Sequence, residues 1–462
     1  MKTTLKKFAL VAISAALLGG MASNAQAANW LMLQGTEPAD AAARAKVWGF
    51  IQAQWQKDNS DACKYAPCTD QYIPPKLIGP QLTSQEAFNV NRARLGVRGT
   101  GLPLDSNVNY FLLAEFGNNA ITEPNNAFAK VTDASITLNH LKKFARIRVG
   151  LFKYPGAEEA LQAIHTFDYI NFTTVTNQLL LERIPSTDGA LNQNLYPPAQ
   201  GGLLGAEENA FVNGVSAFRD VGIQVFDAFL SGNWETSYAA MYGNGNGLNL
   251  SDNDDEKDVY LYLSTERIFG GKGPFRQGLK FFVWMQDGKR SLDRTNDGTF
   301  NPVKYDRERS GLGVKYLRGN WRFTGEYMKG KGMIFVGPDK ATFDQNGTVA
   351  PGGDGVDSEA SGWYVEGGWR IPRSKWELDL RYDVYNRLEG DSGNPNGSLE
   401  SEWITTTIGV NYFFNRKTRA TLDYAFRDVE TPAFPPPGPG GNPNNNMSGI
   451  GDRIAVQLTH IF

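Results

Sequence analysis

The sequence predicts an all-β fold: a transmembrane antiparallel β-barrel of about sixteen strands over residues 46–462. Three observations carry this. Apolar and polar residues alternate along most of the chain, which puts them on opposite faces of strands. The alternating runs are roughly 10–13 residues long, against about 5–6 for an ordinary globular strand and about 9–11 for a strand that crosses a bilayer. The links between runs are alternately short and long, the pattern of a barrel with short periplasmic turns and long extracellular loops.

Composition agrees. Hydrophobic residues are 41% of the chain and aromatics 12%, with 50 glycines in 462 residues. Soluble domains average about 45–50% apolar, so aliphatics are scarce. No segment of the mature chain offers about 20 consecutive apolar residues, which excludes a bundle of membrane helices. The abundance of Phe, Tyr and Trp excludes a disordered chain.

The N-terminus is read first as an address. Lys2, Lys6 and Lys7 precede an apolar run from Phe8 to Leu18, and Ala25-Gln26-Ala27 has the small residues of a cleavage site. Residues 1–27 are therefore expected to be a secretory signal peptide, too short and wrongly flanked for a membrane helix. Residues 28–45 follow as a periplasmic N-terminal segment. Removing the three lysines moves the charge from 46 − 49 = −3 to 43 − 49 = −6, a mild acidity with no mark of nucleic-acid binding. Cys63 and Cys68 lie in Cys-Lys-Tyr-Ala-Pro-Cys, and in an exported protein they are expected to form a local disulfide.

The strands follow in order. The first covers 46–56 and the second 87–100, where Arg92, Arg94, Gly96 and Arg98 alternate with Ala93, Leu95 and Val97. Short turns are expected at 101–106, 141–143, 230–233, 270–276, 318–320, 372–374 and 415–417. Long links are expected at 57–86, 118–130, 154–216, 244–256, 289–303, 334–359, 389–401 and 429–450. Trp376, Leu378, Leu380, Tyr382 and Val384 face away from Glu377, Asp379, Arg381 and Asp383. Ala420, Leu422, Tyr424 and Phe426 alternate likewise with Arg419, Thr421, Asp423 and Arg427. Aromatics near strand ends, such as Trp363 with Trp369 and Tyr412 with Phe414, suit interfacial girdles. In the last strand, 451–462, one face holds Ile454, Val456, Leu458, His460 and Phe462, with His460 read as interfacial or subunit-facing.

Two stretches resemble the family of phosphate-selective porins O and P. One is Asn91-Arg92-Ala93-Arg94-Leu95-Gly96-Val97-Arg98-Gly99 with Val108 to Phe116. The other is Asp133-Ala134-Ser135-Ile136 with Arg146-Ile147-Arg148-Val149-Gly150-Leu151-Phe152-Lys153. Segments 219–223 and 408–412 fit as well. The resemblance implies a sixteen-stranded trimeric porin in a Gram-negative outer membrane. It also implies that the long loop after the fifth strand, 154–216, enters and constricts the pore. The family's best-known members carry an arginine ladder in that loop. Here the loop has Arg183 alone and no lysine, against Glu158, Glu159, Asp168, Glu182, Asp188, Glu207 and Glu208.

If apolar faces meet lipid, polar faces line a pore. The pore-lining candidates are Arg92, Arg94 and Arg98, which repel one another unless answered, then Arg146, Arg148 and Lys153. Glu158 and Glu159 are the candidate answering carboxylates of the constriction loop. The functional reading is a basic stripe facing an acidic loop, since charged walls set channel selectivity. The competing reading is that most wall charges pair to stiffen the barrel. The acidic run 251–258 has hard oxygens that suit Ca²⁺ but no EF-hand spacing, and is read as a solvated loop. Pro435 to Gly441 begins a low-complexity loop.

Enzyme chemistry finds no footing. The three histidines, His140, His165 and His460, assemble no nucleophile pair, and no cluster of zinc ligands is apparent. No metal or cofactor is expected. The expected function is a passive outer-membrane channel for small hydrophilic solutes or ions, with a weak lean to anions such as phosphate. The alternative is a non-channel barrel that sheathes an electron-transfer partner.

Overall fold

Lipid offers no hydrogen bonds, so a sheet that spans it must leave no free edge. Sixteen antiparallel strands meet this condition by closing into one barrel. They are β1 Lys46–Asp58, β2 Glu86–Gly101, β3 Asp105–Glu115, β4 Lys130–Leu138, β5 Arg146–Lys153, β6 Arg219–Ser231, β7 Trp234–Gly243, β8 Asp258–Gly270, β9 Gln277–Leu292, β10 Val303–Arg318, β11 Trp321–Lys331, β12 Glu359–Arg370, β13 Trp376–Arg387, β14 Ser401–Phe413, β15 Thr418–Glu430 and β16 Arg453–Ile461. Each pairs with its sequence neighbours, and β16 returns to β1. The computed structural model describes residues 29–33, 45–61, 86–101, 104–117, 119, 129–141, 145–181, 217–245, 247–248, 250, 252, 255–271, 276–292, 303–332, 334–335, 348–349, 359–387, 400–430 and 450–462. The expected signal peptide, the Cys63–Cys68 disulfide, residues 182–216 of the third loop and the run that begins at Pro435 lie outside them. So do Ser251, Asn253 and Asp254 of the acidic run.

The barrel is inside out relative to a soluble domain. Ile51, Leu95, Leu112, Ile136, Val149, Ile223, Leu312, Leu380, Ile408 and Leu458 are exposed on the outer face. Gln52, Gln54, Gln56, Asn109, Thr137, Gln224, Asn411 and Thr459 are buried inside. Strand β2 keeps this order through a bulge. Gln52 pairs with Arg92 and Ala53 with Val90, which leaves Asn91 as the extra residue. Phe88 and Val90 point out before it and Leu95 after it. The phase change is what turns Arg92, Arg94 and Arg98 inward together.

Aromatics mark both rims. Trp321 stacks on Trp369 at 5.8 Å, and Trp376 meets Tyr412 at 4.6 Å, beside short connections. Trp363 meets Tyr382 at 5.5 Å nearer the long connections. Trp363 and Trp369 are six residues apart on β12, about 20 Å of strand, a separation that suits two girdles around an apolar band. His460 faces out on the short-connection rim, its Nδ1 2.9 Å from Thr418 Oγ1.

The closing seam depends on one glycine. Phe462 N donates to the Gly49 carbonyl at 3.0 Å, and Gly49 N to the Phe462 carbonyl at 3.4 Å. A Cβ on Gly49 would stand 2.3 Å from the Arg94 carbonyl and 2.5 Å from the Phe462 ring. Gly49→Val should therefore open the seam by an overpacking of about 1–3 kcal/mol. It should lower the temperature of the folded-to-unfolded gel shift in detergent, and by more than Phe462→Ala does. Wild-type migration of Gly49→Val at every temperature would refute this account of the seam.

Candidate functional site

The inner wall divides into two arcs. On β2–β6, guanidinium groups prevail among the described residues. Arg94 Nε donates to Glu115 at 2.7 Å, and Glu115 Oε1 also accepts the Ala93 and Gly117 amides. Arg219 Nη2 lies 3.0 Å from Asp133, and Arg146 Nη1 3.0 Å from Asp227. Three others donate to neutral acceptors: Arg92 to Gln52 at 3.1 Å, Arg98 to the Leu33 carbonyl at 3.2 Å, and Arg148 to Thr137 at 3.2 Å. Arg148 also lies over the Phe226 ring at 4.4 Å, where the π-face answers part of its charge. Strands β2 and β5 are three positions apart in the barrel.

The opposite arc, β9–β15, carries the third loop. The described part, Tyr154 to Leu181, holds one α-helical turn, Glu158–Leu161, a 3₁₀ turn, Ile164–Thr166, and a short π-helical segment, Thr176–Leu180. Irregular backbone is tolerated at membrane depth only where its polar groups find partners, and here wall side chains supply them. Asp423 accepts the Ile170 amide at 2.6 Å, and Asp383 the Thr174 amide at 2.7 Å. Glu326 accepts the Glu158 amide at 3.2 Å while held by Trp284 and Tyr364. Asn411 and Arg381 donate to the carbonyls of Asp168 and Asn171 at 2.8 and 3.0 Å. Inward glycines make room: a Cβ on Gly362 would stand 2.6 Å from Val175, and one on Gly330 2.6 Å from Leu179.

This placement changes the roles that the sequence assigned. Glu158 and Glu159 do not answer Arg92, Arg94 and Arg98. Glu158 sits between Lys280, which it contacts closely, and Lys315 at 2.9 Å. Glu159 lies 3.6 Å from Arg381 and accepts from Thr173 Oγ1 at 2.6 Å. Asp168 lies 2.5 Å from Arg322 and 3.6 Å from Arg419. The arginines are answered instead by β1, β3, β4 and β6. The side chain of Lys153 is committed to the loop itself, donating to the carbonyls of Ala160, Leu161 and Gln162 at 2.7, 3.4 and 2.8 Å. Lys280, Lys315 and Asp133 escaped the sequence reading. Their one signal was a charge on the polar phase of a strand, which dozens of residues share.

Residues 285–433, from within β9 to just past β15, match a family model. The family is phosphate-selective porin O and P. The porin O and P match falls on the arc that holds the loop, whereas the sequence stretches quoted for the resemblance lie mainly on the basic arc. Among solved structures, an anion-selective porin from Comamonas acidovorans is similar over 91% of this chain and 100% of its own, at 13% identity and a TM-score of 0.52. In-vitro folded OmpT of Vibrio cholerae, in its trimer form, is similar over 92% and 100%, at 12% identity and a TM-score of 0.47. OmpF of Salmonella typhi in complex with daunomycin is similar over 90% and 97%, at 15% identity and a TM-score of 0.47. No curated protein matches the chain. The barrel has the fold of the Comamonas porin.

The loop anchors titrate in opposite senses. Burial raises the Glu158 carboxyl, but the ammonium groups of Lys280 and Lys315 prevail and hold it down at about 2. Burial prevails over Arg381 at Glu159 and pushes its carboxyl up to about 7. The Glu158 contribution is therefore complete above the ordinary 4.5 and lost as pH falls toward 2. The Glu159 contribution is complete below 4.5 and lost as pH rises through 7. Amide exchange over 155–181 in detergent should be slowest near pH 5, after correction for intrinsic rates. Glu158→Gln strands two ammonium groups, costs about 3 kcal/mol of attachment and should speed exchange at every pH above 4.5. Glu159→Gln should hold protection above pH 7. Equal exchange in all three proteins would refute the anchoring.

Proposed function

We propose that the protein is a passive outer-membrane diffusion channel for small hydrophilic solutes or ions, with a modest preference for anions such as phosphate, working as a homotrimer. A cleaved signal peptide, residues 1–27, would deliver it to that membrane, with long loops outside and short turns in the periplasm. The third loop, 154–216, would constrict the pore.

One observation carries the anion preference. Each described carboxylate of the loop is turned to a cation of β9–β15: Glu158 to Lys280 and Lys315, Glu159 to Arg381, and Asp168 to Arg322 and Arg419. The acidity of the loop is thereby neutralised locally, while β2–β6 presents the lumen with more guanidinium than carboxylate. A charged wall lowers the barrier for the opposite ion without binding it tightly, so passage needs no chemistry. A barrel that sheathed a protein partner would need an empty lumen, and here the chain's own loop lines half of the wall.

Reversal potentials in a salt gradient across planar bilayers test the reading. The wild type should favour the anion. Arg94 is bonded to the fully buried Glu115, so its removal endangers assembly. Arg92→Gln with Arg98→Gln spares that pair and should reduce the anion preference at least two-fold. A cation-selective wild type would sink the anion preference, and absence of conductance would sink the channel.

A further inference from the structure

The segment 28–45 reads in sequence as periplasmic, yet five of its residues lie inside the barrel. Asn29-Trp30-Leu31-Met32-Leu33 form one helical turn, in which the Asn29 carbonyl accepts the Met32 and Leu33 amides at 2.9 Å. Trp30 and Leu31 are buried, and they belong to one apolar cluster with the inward residues Phe152, Phe226 and Met241 of β5, β6 and β7. In water such a Trp-Leu-Met-Leu run would be an exposed apolar patch. Within the lumen it has a matching wall.

Polar contacts fasten both ends of the turn. Asn29 Nδ2 donates to Glu235 Oε1 at 3.1 Å and contacts Ser237 Oγ, both on the inward face of β7. Glu235 is itself held by Arg276 at 2.9 Å. At the other end, Arg98 of β2 donates to the Leu33 carbonyl at 3.2 Å. Arg146 of β5 reaches the Met32 sulfur at 3.5 Å. Strands β2 and β7 are five neighbours apart, about 24 Å along the wall at roughly 4.8 Å per strand. The turn meets both by way of β5, whose Arg146 it also touches, so it occupies the lumen against the β2–β7 stretch of wall.

We infer that Asn29–Leu33 is a second internal constriction, seated against β2, β5 and β7, and that it tunes selectivity by engaging Arg98 and Arg146. This rests on the channel reading. The segment narrows the lumen at the short-connection rim, where β2 ends and β7 begins. It also covers two of the cations that would face a passing anion. Removing it widens the path and returns both guanidinium groups to the lumen.

Two variants test this. Deletion of residues 29–33, with the signal and Ala28 retained, should raise single-channel conductance in KCl at least two-fold and increase the anion preference. Heat-modifiable migration and N-terminal sequencing verify assembly and processing. Asn29→Cys with Ser237→Cys, in a Cys63→Ser and Cys68→Ser background, should form a disulfide in the assembled barrel and, while oxidised, hold conductance at the wild-type level. No disulfide overturns the inference whatever the conductance. Equal conductance of the deletion and the wild type overturns it while leaving the channel intact. A silent wild type beside a conducting deletion supports the inference and overturns the open-channel reading.

Discussion

The structure depends on one constraint: a backbone that crosses lipid must satisfy its own hydrogen bonds. A closed sheet does so, and closure then decides which chemistry goes where. Each strand can turn only alternate residues outward, so the apolar half meets lipid and the polar half is forced into the lumen. Charges such as Arg148, Arg307, Asp383 and Glu115, all within 1% of full burial, are there because the pleat leaves them no other place. Partners such as Arg94 for Glu115, the Thr174 amide for Asp383 and Thr137 for Arg148 make the wall tolerable.

The same constraint governs the loop inside the barrel. A segment without regular structure carries unpaired amides and carbonyls to a depth where they need partners. Asp383, Asp423, Asn411 and Arg381 provide them, and Gly330 and Gly362 let the loop approach closely. Loop and wall are therefore one unit, in which the carboxylates that make the loop acidic also bind it to the wall. Charge in this lumen is arranged by arc: guanidinium prevails over β2–β6, while the cations of β9–β15 answer the carboxylates of the loop.

Much of the fold was legible because period two is a local property. The strand ends, the turns and the outward faces of β13, β15 and β16 follow from alternation alone. Even the inward stripe Arg92, Arg94, Arg98 was visible, although the bulge at Asn91 that aligns it was not, since a bulge changes phase without a compositional mark. The site was less legible. Period two tells which face a residue takes and says nothing about which residue stands opposite, so Glu158 and Glu159 were matched to the wrong arginines.

The sequence by itself determined a sixteen-stranded barrel and its lipid face, because these depend on neighbours within a strand. Tertiary structure alone decided that Lys280 and Lys315 receive Glu158, that Lys153 holds loop carbonyls, and that Asn29–Leu33 turns into the lumen. Those pairings join residues tens to hundreds of positions apart. They are fixed by the curvature of the closed sheet and by the space that it leaves, neither of which is written in any local pattern.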